Sequence, residues 1–261
     1  MIRGAVVDPQ PREIAERALF HKHHLHQSTR HENEIMALKV VDEIRDDFAL
    51  RGRSELYRVD LKSMASAHRL HQGINLRGHQ VWASYEHFQE ILAIRNQPAD
   101  EELWDIVEFF SSHSDPNLFK ERHALSQSEF RKLIQPLIRT GHIVQDFRGG
   151  FRSVFVPEGV DRAELRKEYI RKLVEKFPVI TLRQLTQLAG PSFKPEELKA
   201  VLNAFEEDET LIKGFLIEDF HQVCWGRKEL LQEAKSIPSI RDFVLPPSDP
   251  IAPYFADIMK E

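Results

Sequence analysis

SQSEFRKLIQPLIRTGHIVQDFRGGFRSVFV, residues 126–156, is the stretch on which the fold turns. It opens with Ser126-Gln127-Ser128-Glu129, a serine followed three residues later by a glutamate, the pattern of a helix capping box. Phe130, Leu133, Ile134, Leu137 and Ile138 then recur at helical spacing, and Gly141 stands just past the last of them, where a helix ends. Pro136 interrupts this stripe. Inside a helix proline costs about 3 kcal/mol, so either the axis bends there or the helix has other boundaries. Two short strands follow, 142–147 and 152–156, joined by Arg148-Gly149-Gly150-Phe151 with its tight-turn Gly-Gly pair. Upstream, Leu103, Trp104, Ile106, Val107 and Phe110 form one helix. Ser114-Asp115-Pro116 is a turn, and Leu118 and Phe119 mark a second, short helix. Helix, helix, helix, strand, tight turn, strand is the winged-helix order. In that fold the third helix usually enters the major groove and the hairpin is the wing.

The order returns roughly 70 residues later, a repeat of supersecondary structure and not of sequence. Leu165, Tyr169, Leu173 and Phe177 stripe a helix over 162–177. Thr181 caps a short helix through Leu182, Leu185 and Leu188 that Gly190 ends. Pro195, Glu196 and Glu197 suit a first helical turn, and Leu198, Val201, Leu202 and Phe205 form that helix's inner face. Residues 211–217 read as a strand, Glu218-Asp219 as a turn and 222–225 as the return strand, with a short helix through Leu230 and Leu231 closing the unit.

Ahead of these units, residues 10–50 read as two helices, one through Ile14, Ala18 and Leu25, the other through Ala37, Val41, Ile44 and Phe48 with Gly52 at its end. Residues 55–95 read as helical with a break between Gly73 and Gly78. Leu61, Met64, His68 and His71 share one face there, and Ser84 caps a piece that buries Phe88, Ile91 and Leu92. The fold class expected is mainly α with small β-hairpin wings. An N-terminal helical region spans 1–102, a first winged helix 103–160, a second 161–235, and an extended tail 236–261 carries Pro238, Pro246, Pro247, Pro250 and Pro253.

Across 261 residues, hydrophobic side chains make up 41% and charged ones 30%, a globular composition with apolar surface enough for a core. The single cysteine, Cys224, excludes an intrachain disulfide and a multi-thiolate zinc site, and it fits a reducing compartment. The apolar stretch at Ile2–Val7 is too short for a signal peptide and no run reaches membrane-spanning length, so a cytoplasmic location without membrane attachment is expected. The formal net charge of −5 counts against a DNA binder held by a global positive field. A local basic face still suffices to hold phosphates.

That local face is sought on the first unit. Arg148 and Arg152 flank Gly149 and Gly150, so two phosphate-gripping guanidinium groups sit on a hairpin whose glycines admit a close backbone approach. The third helix offers Gln127, Arg131, Lys132, Gln135 and Arg139, side chains that read base edges or hold the backbone. On the second unit Lys194, Lys199 and Lys213 are candidates, with Asn203, but Glu196, Glu197, Glu206, Glu207 and Asp208 would repel phosphate, so it is expected to be the weaker binder or to face a protein. His21, His23, His24, His26 and His31, with Glu34, form the sharpest metal candidate, yet lack the thiolates a structural zinc usually has, and no metal or other cofactor is assigned. Glu101-Glu102 and Glu206–Glu209 read as solvated faces, Cys224 as core, and no catalytic residue is assigned.

Four places carry a family likeness: Leu137–Phe147 with Phe151-Arg152; Val179–Gly190; Lys213-Gly214-Phe215 with Glu218-Asp219-Phe220; and Asp249-Pro250-Ile251-Ala252-Pro253-Tyr254. Together they resemble the winged-helix region of the Lhr-type large DNA-repair helicases and of the related AlkZ family of DNA glycosylases. The resemblance implies DNA, duplex or forked, as ligand and a helicase motor or other repair protein as partner. The G-x-x-x-x-G-K-[ST] phosphate loop of the motor is missing, and so is the Gln-x-Gln pair that the glycosylases use. The resemblance therefore implies the DNA-handling accessory part, and a chain ending where the helicases' β-domain begins is expected to be a fragment or a shortened relative. A winged-helix scaffold for protein partners is the alternative, and a base-excising enzyme using an unrecognised acid is the second.

Overall fold

The structure, a computed structural model, describes residues 9–23, 42–45, 61–67 and 69–236. These divide into two compact units, one of residues 9–23 and 167–236, the other of 42–45, 61–67 and 69–166. Both are mainly helical with short antiparallel strands. Helix α1 (Arg12–Lys22) belongs to the first unit, where it buries Ala15, Ala18, Leu19 and Phe20. The expected helix through Ala37, Val41 and Phe48 lies outside the described residues, as does His68. Ile44, expected on that helix, stands instead on strand β1 (Ile44–Arg45), where it pairs with Trp82.

The second unit departs most from the sequence reading at residues 71–83. The helical stripe ends with α2 (Leu61–Ala67). His71 lies not on that helix but on β2 (His71–Ile74), which forms an antiparallel hairpin with β3 (Gln80–Ala83). Two local causes favour the hairpin. Asn75, fully buried, accepts the N–H groups of Arg77 (3.0 Å) and His79 (2.9 Å) on its side-chain oxygen and so closes the turn. Gly73 leaves the space that the Phe88 ring occupies, since a Cβ there would lie 2.6 Å from Phe88 Cε1.

Ser84 then caps α3 (Tyr85–Arg95) by accepting from the His87 N–H, and Phe88, Ile91 and Leu92 are buried as expected. A 3-10 turn at Glu101–Leu103, capped by Asp100, leads to α4 (Trp104–Ser112), α5 (Pro116–Arg122) and α6 (Gln127–Thr140). The Ser126/Glu129 capping box closes reciprocally, and α6 runs unbroken through Pro136, whose ring is exposed. Strands β4 (Ile143–Asp146) and β5 (Phe151–Ser153) complete the unit, and the second is shorter than expected, leaving Phe155 and Val156 outside the sheet. The five strands lie in the order β1-β3-β2-β4-β5. Helices α4, α5 and α6 and the hairpin enclose one aromatic cluster, in which the Phe110 ring lies 5.1 Å from Phe109, 5.7 Å from Phe119 and 5.5 Å from Phe151.

The first unit resumes within α7 (Arg162–Val174). Strand β6 (Val179–Thr181), absent from the sequence reading, precedes α8 (Leu182–Ala189), which Thr181 and Gln184 cap reciprocally. Helix α9 (Pro195–Glu207), strands β7 (Ile212–Gly214) and β8 (Cys224–Gly226), α10 (Lys228–Glu233) and a 3-10 turn at Ala234–Ser236 follow. Its three-stranded sheet has the order β6-β8-β7. The two units thus share the helix order but complete their hairpins on opposite edges: β2 joins the first strand of one hairpin, β6 the second strand of the other. The N-terminal segment is tied into this unit by a parallel bridge, with Gln10 N–H donating to Leu216 O (2.8 Å) and Glu218 N–H to Gln10 O (2.9 Å).

Candidate nucleic-acid interface

Helix α6 turns Phe130, Ile134 and Leu137 inward, with Leu133 and Ile138 packed beside them, and its polar residues face water. Gln127, Arg131, Lys132, Gln135 and Arg139 are all exposed. Residues 127, 131, 135 and 139 succeed one another at four-residue steps along one side. Among the described residues the charged heads of Arg131, Lys132 and Arg139 are in no ion pair, while Gln127 accepts from Lys120 Nζ at 2.7 Å.

The β4–β5 turn, the candidate wing, is built by Asp146. Its Oδ1 accepts the N–H groups of Arg148 and Gly150, both at 2.8 Å, and its carbonyl accepts from Gly149 N–H at 3.1 Å. Gly149 has φ +89°, a left-handed conformation that favours glycine. A Cβ on Gly150 would lie 2.7 Å from Asp146 Oδ2. Phe151 N–H anchors the hairpin to the α4–α5 turn through Ser114 O at 2.8 Å. This rigid turn projects Arg148 into solvent, with its guanidinium 5.3 Å from the Phe147 ring centre. Arg152, exposed on β5, lies flat against Tyr85 at 3.7 Å, and the Tyr85 hydroxyl donates to Ser153 O. Tyr85 carries no sign of this role in sequence, because the strand it supports at Arg152 and Ser153 is remote, Ser153 being 68 positions away.

The candidates beyond residue 167, which belong to the first of the two compact units, are placed differently. Lys194, the residue that precedes α9, and Lys199 on it are exposed. Lys213 is drawn to Glu206 (3.1 Å) and Asn203 (3.4 Å) beside the Trp225 ring, so its charge is locally neutralised. Of the histidine group, His24, His26 and His31, with Glu34, lie outside the described residues. His23 is 1% exposed, with Nε2 3.1 Å from Lys176 O, a core position. Cys224 is buried on β8, and burial pushes its thiol up to about 12.

Two further features of the second unit had no clear signal in the sequence. Glu43, 3% exposed, accepts from Asn75 Nδ2 (2.7 Å) and contacts His87 Nε2 (3.2 Å) and Arg77 (3.6 Å). Burial opposes the charge on His87, but its hydrogen bonds to Glu43 and Glu90 outweigh this and raise its pKa to about 9. The other is a cavity of about 380 Å³ between the end of α3, the start of α4 and the strand end at 154–156. Trp104, on the helix where the sequence placed it, is 49% exposed and lines the cavity with Phe155, 40% exposed. A sequence stripe assigns Trp104 to the helix but not to the side left open by its neighbours.

No family model and no curated protein matches this chain. Among solved structures it is similar to the Streptomyces sahachiroi DNA glycosylase AlkZ, with a TM-score of 0.60 and 10% identity over 88% of this chain and 73% of that one. At that identity the likeness is one of fold.

Proposed function

We propose that this protein binds DNA, duplex or forked, through α6 and the wing of the second unit, as an accessory component of a repair system. The observation that carries the reading is the exposure of Arg131, Lys132, Arg139 and Arg148, none in an ion pair among the described residues, on the two elements that a winged helix offers to DNA. Gln127 and Gln135 lie on the same helix for base edges, and Gly149 and Gly150 keep the wing backbone low enough to approach a phosphate. The fold shared with a DNA glycosylase supports a place among DNA-handling repair proteins. The accessory role, beside a helicase motor or another repair enzyme, rests on the sequence resemblance.

The first unit favours a second reading for itself, that of a protein-binding module. Phe215 and Val223, next to the paired Gly214 and Cys224, are 56% and 41% exposed, and Lys213 is held by Glu206. Apolar exposure beside neutralised charge suits a protein partner better than phosphate.

Fluorescence anisotropy with duplex, forked and single-stranded DNA at about 50 and 200 mM salt tests the main reading. Submicromolar binding that weakens steeply with salt is expected. Replacing Arg148 and Arg152 together by alanine should weaken it several-fold and reduce the slope of log affinity against log salt by about 2. Salt-insensitive binding, or none at low salt, overturns it.

A further inference from the structure

The cavity beside α4 differs in chemistry from the basic face. Its walls include the aliphatic Leu92, Val107, Val154 and Val156, and it exposes the rings of Trp104 and Phe155. No aspartate, glutamate or lysine is among its lining residues. Its polar side chains carry donors and acceptors at fixed places. Asn96 caps α3 in the left-handed conformation (φ +51°), and its Oδ1 accepts from Arg162 Nη1. His142, 6% exposed, is held by the Thr140 hydroxyl, 2.8 Å from Nδ1, and burial and the charge of Arg95 lower its pKa. The volume falls within the roughly 300–1,000 Å³ of ligand pockets.

This lining selects against several ligands. A small anion would find a single guanidinium and mostly apolar wall. A hydrocarbon chain would leave the amide and guanidinium unsatisfied. A flat heteroaromatic ring matches both parts, stacking on an exposed ring and presenting its edge to the Asn96–Arg162 pair. The absence of carboxylates leaves room for the phosphates that flank such a ring in a nucleic acid.

We propose that this cavity receives an unstacked nucleobase from a single-stranded stretch of bound DNA, a subsite that rests on the DNA-binding reading above. It gives the protein a grip on forks and gaps that the basic face alone does not supply.

Tryptophan fluorescence tests it on the full chain. Of the three tryptophans, Trp82 and Trp225 are 8% and 4% exposed, so Trp104 is the one open to a stacking base. The probes are an end-labelled short oligothymidylate and an abasic strand of the same phosphate spacing, with duplex DNA as reference. The oligothymidylate should quench the emission, and the abasic strand should not, while binding about tenfold more weakly by anisotropy. Trp104→Leu and Phe155→Ala should each weaken oligothymidylate binding about tenfold and leave duplex affinity unchanged. Equal affinity of the two strands, or oligothymidylate affinity unchanged in Trp104→Leu, overturns the subsite while the basic-face reading survives on its duplex binding. Loss of binding to all three DNAs overturns both. Quenching by a short aromatic peptide in place of the oligothymidylate identifies the cavity as a peptide site and also overturns the proposal.

Discussion

At the scale of single residues, two positions govern the second unit. Gly73 on β2 gives up its side-chain volume to Phe88, with Val144 Cγ1 3.0 Å from where a Cβ would stand. Gly73→Ala should therefore cost about 1–3 kcal/mol through overpacking, seen as a lower urea midpoint with an unchanged slope. An unaltered midpoint would show that the ring has another place to go. His87 makes stability depend on pH. Its folded pKa of about 9 lies above the unfolded 6.5, so its contribution is fully present below about pH 6.5 and is lost as pH rises through 9. Denaturant midpoints at pH 6, 8 and 10 should fall in that order. His87→Gln, which removes the titration, should flatten the decline across this window. Neither residue announces its role in sequence. Gly73 reads as a break in a helix, and the partner of Asn75 and His87 is Glu43, 32 and 44 positions away.

At the scale of elements, legibility followed how local the cause was. The capping boxes of α6 and α8, the αL cap at Gly141 and the wing turn are made by residues within about four positions of one another, and each could be read from order and spacing. The hairpin β2–β3 could not, because three successive residues of β3 are buried and a strand buried on both faces shows no alternation. Strand β6, three residues long and wholly buried, was hidden for the same reason. The exposed character of the α6 candidates was legible once the stripe was found, whereas the cavity around Trp104 needed the packing of three separate elements. Pro136 allows a direct test on an element. It sits exposed in an unbroken helix and supplies no N–H to the turn before it. Pro136→Ala should raise stability by about 1–3 kcal/mol, read as a higher thermal midpoint. No gain would mean that the helix has already relaxed around the ring.

At the scale of the whole molecule, a net charge of −5 coexists with a local basic face, so the DNA binding proposed above would be a matter of placement and not of overall attraction. Lys213, held by Glu206, and Arg131 and Arg139 of α6, in no ion pair among the described residues, show the same economy in opposite senses. The bridge from Gln10 to Ile217 has a different consequence, one that concerns synthesis. Arg12 donates to the carbonyl of Asp219 across 207 positions, so α1 waits on residues made near the other end of the chain. The residues of the second unit are threaded between those two halves. On the ribosome the residues of the second unit are all made while α1 still lacks its partners, so the second unit is expected to close first. Pulse-labelled hydrogen exchange during refolding should find amides of β2, β4 and α6 protected before those of α1, and simultaneous protection would show that the two closures are a single event.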